Sequence, residues 1–200
     1  MTEAPQTLLS LAKADLTPAR LAEGVLVLID CQNEYVDGRL ALPGVEPALA
    51  EAAALLERAR AAGTPVFHIA HQGGAGGPFD PDGPGGAIAE AVAPHAGEAV
   101  IRKRLPNAFA GTELNDRVKA TGRTDLIVCG FMTHMCVSST VRAALDLGYR
   151  STVVAAACAT RDLPDPAGGV MDAGTLHRAS LAALGDRFAV IAPNAQAIHA

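Results

Sequence analysis

The stretch Asp125-Leu126-Ile127-Val128-Cys129-Gly130-Phe131-Met132-Thr133-His134-Met135-Cys136 carries a strand signal followed by a helix signal. Leu126 to Cys129 is an unbroken apolar run between an acid and a glycine, the pattern of a short strand buried on both faces. From Cys136 to about Gly148 the apolar spacing becomes helical. A solid apolar strand that feeds a helix through a short turn is the building unit of a parallel sheet. The turn also carries a cysteine, and a thiol at a helix start lies in a field that favours the thiolate.

The same unit recurs on either side. Val25 to Asp30 reads as a central strand, Val45 to Ala62 as an alanine- and leucine-rich helix closed by Gly63, and Thr64 to Ala70 as a second strand. Residues 73–86, dense in glycine, proline and aspartate, read as loop. Ala99 to Arg102 is a short strand, and Thr112 to Thr121 a helix with Thr112 as its N-cap. After the central stretch come a strand at Ser151 to Ala156, a loop at Thr160 to Gly169, a helix at Met171 to Leu184 and a strand at Phe188 to Ile191. The alternation predicts an α/β fold, a three-layer doubly wound parallel sheet. One domain over residues 1–200 is expected, with residues 1–20 an N-terminal extension packed on it.

Composition excludes several function classes. The 200 residues carry a formal net charge of −5 and are 50% hydrophobic, with no basic patch of the kind nucleic acid requires. No run approaches the roughly 18 apolar residues of a membrane span, and the N-terminus lacks a signal-peptide pattern. A cytoplasmic protein with no nucleic-acid or membrane partner is therefore expected. Cys31, Cys129, Cys136 and Cys158 form no Cys-x-x-Cys pair, so free thiols are expected, with Cys31, Cys129 and Cys158 as buried filler.

Open α/β sheets bind ligands beyond the C-terminal ends of their strands. That rule singles out Asp30, His71, Lys103, and the group Met132, Thr133 and Cys136. An acid, a lysine and a cysteine thus fall on one sheet edge.

Four segments resemble the isochorismatase-like cysteine hydrolases. They are Leu28-Ile-Asp30-Cys-Gln32-Asn33, Lys103-Arg-Leu-Pro-Asn107-Ala-Phe109-Ala-Gly-Thr112-Glu-Leu114, Gly130-Phe-Met-Thr133-His-Met-Cys136-Val137 with Thr140, and His177 to Val190. The resemblance implies six strands in the order 3-2-1-4-5-6, which brings Asp30 beside Cys136, and a cis peptide before Met132. It implies a catalytic triad: Cys136 as nucleophile on a carbonyl carbon, Asp30 as general base, and Lys103 as the cation that keeps the aspartate ionised and stabilises the thiolate. The backbone N–H groups of Met132 and Cys136 would form the oxyanion hole. Tyr35, His71, Phe79, Phe109 and Met132 are the expected substrate pocket, and Gln32 is expected to orient the turn after the first strand.

Nicotinamidase-type members hold a metal through an Asp-x-His pair. Here the matching stretch is His68-Ile-Ala-His71, and strand positions three apart face opposite ways, so no metal and no cofactor are expected. Many members carry an aspartate after the fifth strand. Val153-Val154-Ala155-Ala156-Ala157 has none, and Arg161 and Asp162 are candidates to replace its ordering role. The resulting expectation is a metal-independent, homo-oligomeric hydrolase (dimer or tetramer) of a small amide, working through a thioester. Hydrolysis of an ester or lactam, isochorismatase-type activity and a catalytically silent binding protein are the alternatives. Isochorismatases proper cleave a vinyl ether and typically lack the cysteine.

Overall fold

The structure is a computed structural model and describes residues 4–200. Its strands are β1 (Gly24–Ile29), β2 (Val66–His71), β3 (Ala99–Lys103), β4 (Asp125–Phe131), β5 (Arg150–Ala159), β6 (Leu163–Pro164), β7 (Val170–Met171) and β8 (Ala189–Ala192). Six of them form one sheet in the order β3-β2-β1-β4-β5-β8, every pair parallel. This is the expected 3-2-1-4-5-6 arrangement. The count differs because β6, in the expected loop, pairs antiparallel as a small hairpin with β7, which takes Met171, the residue expected to begin the last helix.

The strands are solid apolar runs because the sheet has a core on each side. Along β1, Leu26 and Leu28 face one cluster, while Val25, Val27 and Ile29 face the other. Burial of each such side chain stabilises the fold by about 1.5–3 kcal/mol. Helix α2 (Val45–Ala61) covers the first face with Ala48, Leu49, Ala52, Leu55, Leu56 and Ala59, spaced at helical intervals. It ends at Gly63, whose φ of 66° is the left-handed conformation that closes helices, and Thr64 N–H donates back to the Ala59 carbonyl at 2.9 Å. Helices α3 (Leu114–Ala120), α4 (Ser138–Asp146) and α5 (Ala173–Arg187) cover the second face.

Some boundaries move. α3 starts at Leu114, so Thr112 is not its N-cap residue. Its hydroxyl instead accepts from Leu114 N–H at 3.3 Å, two residues on. β5 continues three residues past the expected end, to Ala159. In the N-terminal extension, helix α1 (Leu8–Leu11) packs on α5, with Leu8 N–H donating to Asp186 at 2.8 Å. No described helix is long and apolar enough to cross a membrane.

Candidate active site

β1 delivers the acid. Its last residue, Ile29, pairs with Gly130 of β4, and Asp30 follows with a φ of 50°. Regular alternation would point Asp30 to the Leu28 face. The left-handed turn, which aspartate tolerates better than most residues, redirects it instead. β3 delivers the lysine. Lys103 continues the row of Ile101 on the α3–α4 side, two residues on. The Asp30 and Lys103 side chains are both fully buried, with Lys103 Nζ 2.7 Å from Asp30 Oδ2. The pair is close but poorly aligned, and neither Asp30 oxygen makes a well-directed hydrogen bond.

β4 delivers the thiol. Gly130 has a φ of 113°, and a Cβ there would lie 2.1 Å from the Ile29 carbonyl oxygen, so only glycine lets β1 and β4 approach this closely. The Phe131–Met132 peptide is cis. The chain then makes one π-helical turn over Thr133–Val137 before α4 begins at Ser138, so Cys136 lies in the π turn rather than at the α-helix start that the periodicity predicts. π turns are frequent at functional sites. Cys136 Sγ lies 3.3 Å from Lys103 Nζ. Lys103 therefore touches both other members of the expected triad. Among the described residues, Met132 N–H donates to no protein acceptor.

The electrostatics at the thiol pull in two directions. Burial pushes the Cys136 thiol up to about 12, Asp30 adds to the rise, and Lys103 only partly opposes it. Burial thus favours the protonated thiol, while Lys103 favours the thiolate. Burial likewise raises Asp30, with Lys103 pulling the other way.

His71 and Gln32 frame the site. His71 lies in the Phe67–Ile69 row, with Nδ1 3.4 Å from Lys103 Nζ, and burial favours its neutral form. The buried Gln32 side chain accepts from His71 N–H at 2.8 Å and donates to the carbonyls of His71 (3.0 Å) and Gly86 (2.8 Å), tying the turn after β1 to the end of β2 and to the glycine-rich loop. Tyr35 and Phe79 meet edge to face at 4.9 Å, His71 and Phe79 at 5.2 Å, and Tyr35 and Phe131 at 5.8 Å. Phe79 holds a φ of 57° in the glycine-rich loop. The Phe109 ring stacks on Tyr149 at 5.8 Å, against the helical layer and apart from this aromatic group. His68 belongs to the opposite row and meets Glu98 at 3.0 Å, so the two strand histidines do not converge. No group of three or more metal-ligating side chains occurs among the described residues.

Three contacts had no signal in the sequence because their partners are remote. The Thr133 hydroxyl donates to the Ala159 carbonyl at 3.1 Å and meets His177 Nδ1 at 2.9 Å. His134 Nδ1 meets the Thr160 hydroxyl at 2.5 Å. β5 and α5 thus hold the π turn that carries Cys136 from two sides. Asp162 accepts from Ala173 N–H at 2.8 Å and orders the segment before α5.

Residues 24–196 match the Isochorismatase domain profile. The crystal structure of an isochorismatase from Pseudomonas putida KT2440 is 45% identical and superimposes with a TM-score of 0.93 over 98% of this chain and all of that one. A streptothricin hydrolase of Streptomyces noursei is 37% identical over 86% of this chain and 63% of its own length. A maleamate amidohydrolase of Pseudomonas putida is 33% identical over 64% of this chain and 68% of its own.

Proposed function

The chain belongs to the isochorismatase family, and from that premise we propose that it is a cysteine hydrolase that cleaves the carbon–nitrogen bond of a small amide through a thioester. The observation that carries this reading is the contact of Lys103 Nζ with Asp30 at 2.7 Å and with Cys136 Sγ at 3.3 Å. A buried acid, cation and thiol in mutual reach are costly to assemble without a chemical use. The maleamate amidohydrolase among its relatives supports an amide over other carbonyl substrates.

A thiol pushed up to about 12 is not a standing nucleophile. Attack is therefore coupled to proton transfer. As Sγ bonds to the carbonyl carbon, the thiol proton passes to Asp30, whose proton affinity burial has raised. The carbonyl π pair moves onto oxygen, and the unbonded Met132 N–H, with Cys136 N–H, receives the oxyanion. Collapse expels the nitrogen, which takes the proton from Asp30, and a thioester remains. Asp30 then deprotonates water for the second attack, and the carboxylic acid leaves as the thiol is restored. The Lys103 ammonium offsets the negative charge as it moves from Asp30 to the oxyanion and back. On family grounds the working form is proposed to be a dimer or tetramer.

The test is ammonia release from a panel of small primary amides, with the Cys136→Ala variant beside it. Turnover of at least one amide, reduced by about 1,000-fold or more in the variant, is the expected result. Equal turnover in both proteins would sink the reading.

A further inference from the structure

Lys103 Nζ makes a third contact that the mechanism does not use. An ammonium carries three N–H donors and no lone pair. Two of these donors face Asp30 Oδ2 at 2.7 Å and Cys136 Sγ at 3.3 Å. The lysine side chain is fully shielded from bulk solvent, so its third proton needs an acceptor inside the protein. His71 Nδ1 lies 3.4 Å away.

The fold makes this neighbour a fixed one. His71 and Lys103 are register partners across the parallel β2–β3 ladder. Both continue rows that face the α3–α4 side, Phe67–Ile69 and Ile101. Gln72 N–H donates to the Lys103 carbonyl at 2.8 Å and holds the two strand ends together. The Gln32 side chain grips the His71 N–H and carbonyl, and the imidazole meets Phe79 edge to face. The turn after β1 therefore holds the His71 backbone, and the glycine-rich loop holds its ring.

The same contacts decide the tautomer. An ammonium cannot accept, so the contact is a hydrogen bond only when Nδ1 carries the lone pair. The ring proton then sits on Nε2. A doubly protonated ring would set a second cation against Lys103, and both burial and Lys103 favour the neutral form. Resting on the amidase reading above, we infer that His71 is a positioning residue: as the Nε2–H tautomer it accepts the third Lys103 proton and fixes the ammonium between Asp30 and Cys136. Without that acceptor one buried, charged N–H is left unsatisfied, and the ammonium turns from the thiol to find another.

Two measurements test this, and neither needs an amide. The first reads the ring by nitrogen-15 NMR of histidine-labelled protein at pH 8, with the His71 signals assigned by their absence in His71→Asn. Nδ1 should be unprotonated and Nε2 protonated. A proton on Nδ1 overturns the inference. The second reads the thiol, as the rate of iodoacetamide alkylation of Cys136 at pH 9. Asparagine places Oδ1 one bond from Cγ, as Nδ1 is, and accepts the same proton, whereas leucine cannot. The rate should fall by about 5-fold or more in His71→Leu, the worth of one lost hydrogen bond, and stay within about 2-fold of the wild type in His71→Asn. An equal fall in both variants, or a fall in neither, overturns the inference. If both measurements succeed while the wild type cleaves no amide of the panel, the amidase reading alone fails. If an amide is cleaved while the ring proton sits on Nδ1, the role of His71 alone fails.

Discussion

Asp30 acts on Cys136 in two opposed ways. As the proposed base it would remove the thiol proton. As a buried negative charge it also makes that proton harder to lose, while Lys103 makes it easier. Neutralising the acid separates the two effects. In Asp30→Asn the lysine acts on the thiol unopposed, so the thiol pKa falls and more thiolate is present at neutral pH. Iodoacetamide should then alkylate Cys136 faster at pH 7.5 in Asp30→Asn than in the wild type, even though amide turnover is lost because no base remains. Slower alkylation in the variant would mean that Asp30 does not oppose ionisation of the thiol. The wild-type alkylation rate should keep rising well above pH 9, as a thiol pushed up to about 12 requires.

The strand β4 and its π turn place the thiol, and Gly130 is the residue on which they depend. Its positive φ and the 2.1 Å approach of a hypothetical Cβ to the Ile29 carbonyl cannot both be relieved without parting β1 from β4. Gly130→Ala should therefore cost more than about 3 kcal/mol of stability, combining backbone strain with a broken ladder. Urea denaturation of the variant measures this, and a loss below about 1 kcal/mol would show that the two strands can separate freely. Gly122, with a φ of 70° and open space around it, supplies the contrast: alanine there meets only the conformational cost, about 1 kcal/mol.

Across the whole molecule, Glu98 joins three elements at the far edge of the sheet. It pairs with Arg60 of α2 through both oxygens at 2.8 Å, meets His68 of β2 at 3.0 Å and accepts from His95 N–H at 2.8 Å, just before β3 begins. Arg60 above all holds its carboxyl down at about 2 against an ordinary 4.5. A carboxylate depressed on folding contributes stability that is present above pH 4.5 and is lost as pH falls toward 2. Glu98→Gln should thus lower the Tm relative to the wild type at pH 7, with the gap closing between pH 4.5 and pH 2. A gap independent of pH would assign the effect to packing alone.

What could be read before any tertiary contact was known is what short segments encode. Solid apolar runs such as Val25–Ile29 and Leu126–Cys129 already require burial on both faces, and their alternation with helical spacing selects a parallel sheet. The strand-end rule then places Asp30, Lys103 and Cys136 on one edge, and the resemblance carried by their neighbours orders the strands that bring them together. The rest depends on residues far apart in the chain. The pairing of Thr133 with His177, the π turn ahead of α4, the stacking of Phe109 on Tyr149 and the contact of His71 with Lys103 have no local periodicity to announce them. The protonation state of Cys136 belongs with them. A nearby lysine favours the thiolate, but desolvation is a property of everything packed around the sulfur, and it raises the thiol pKa more than Lys103 lowers it.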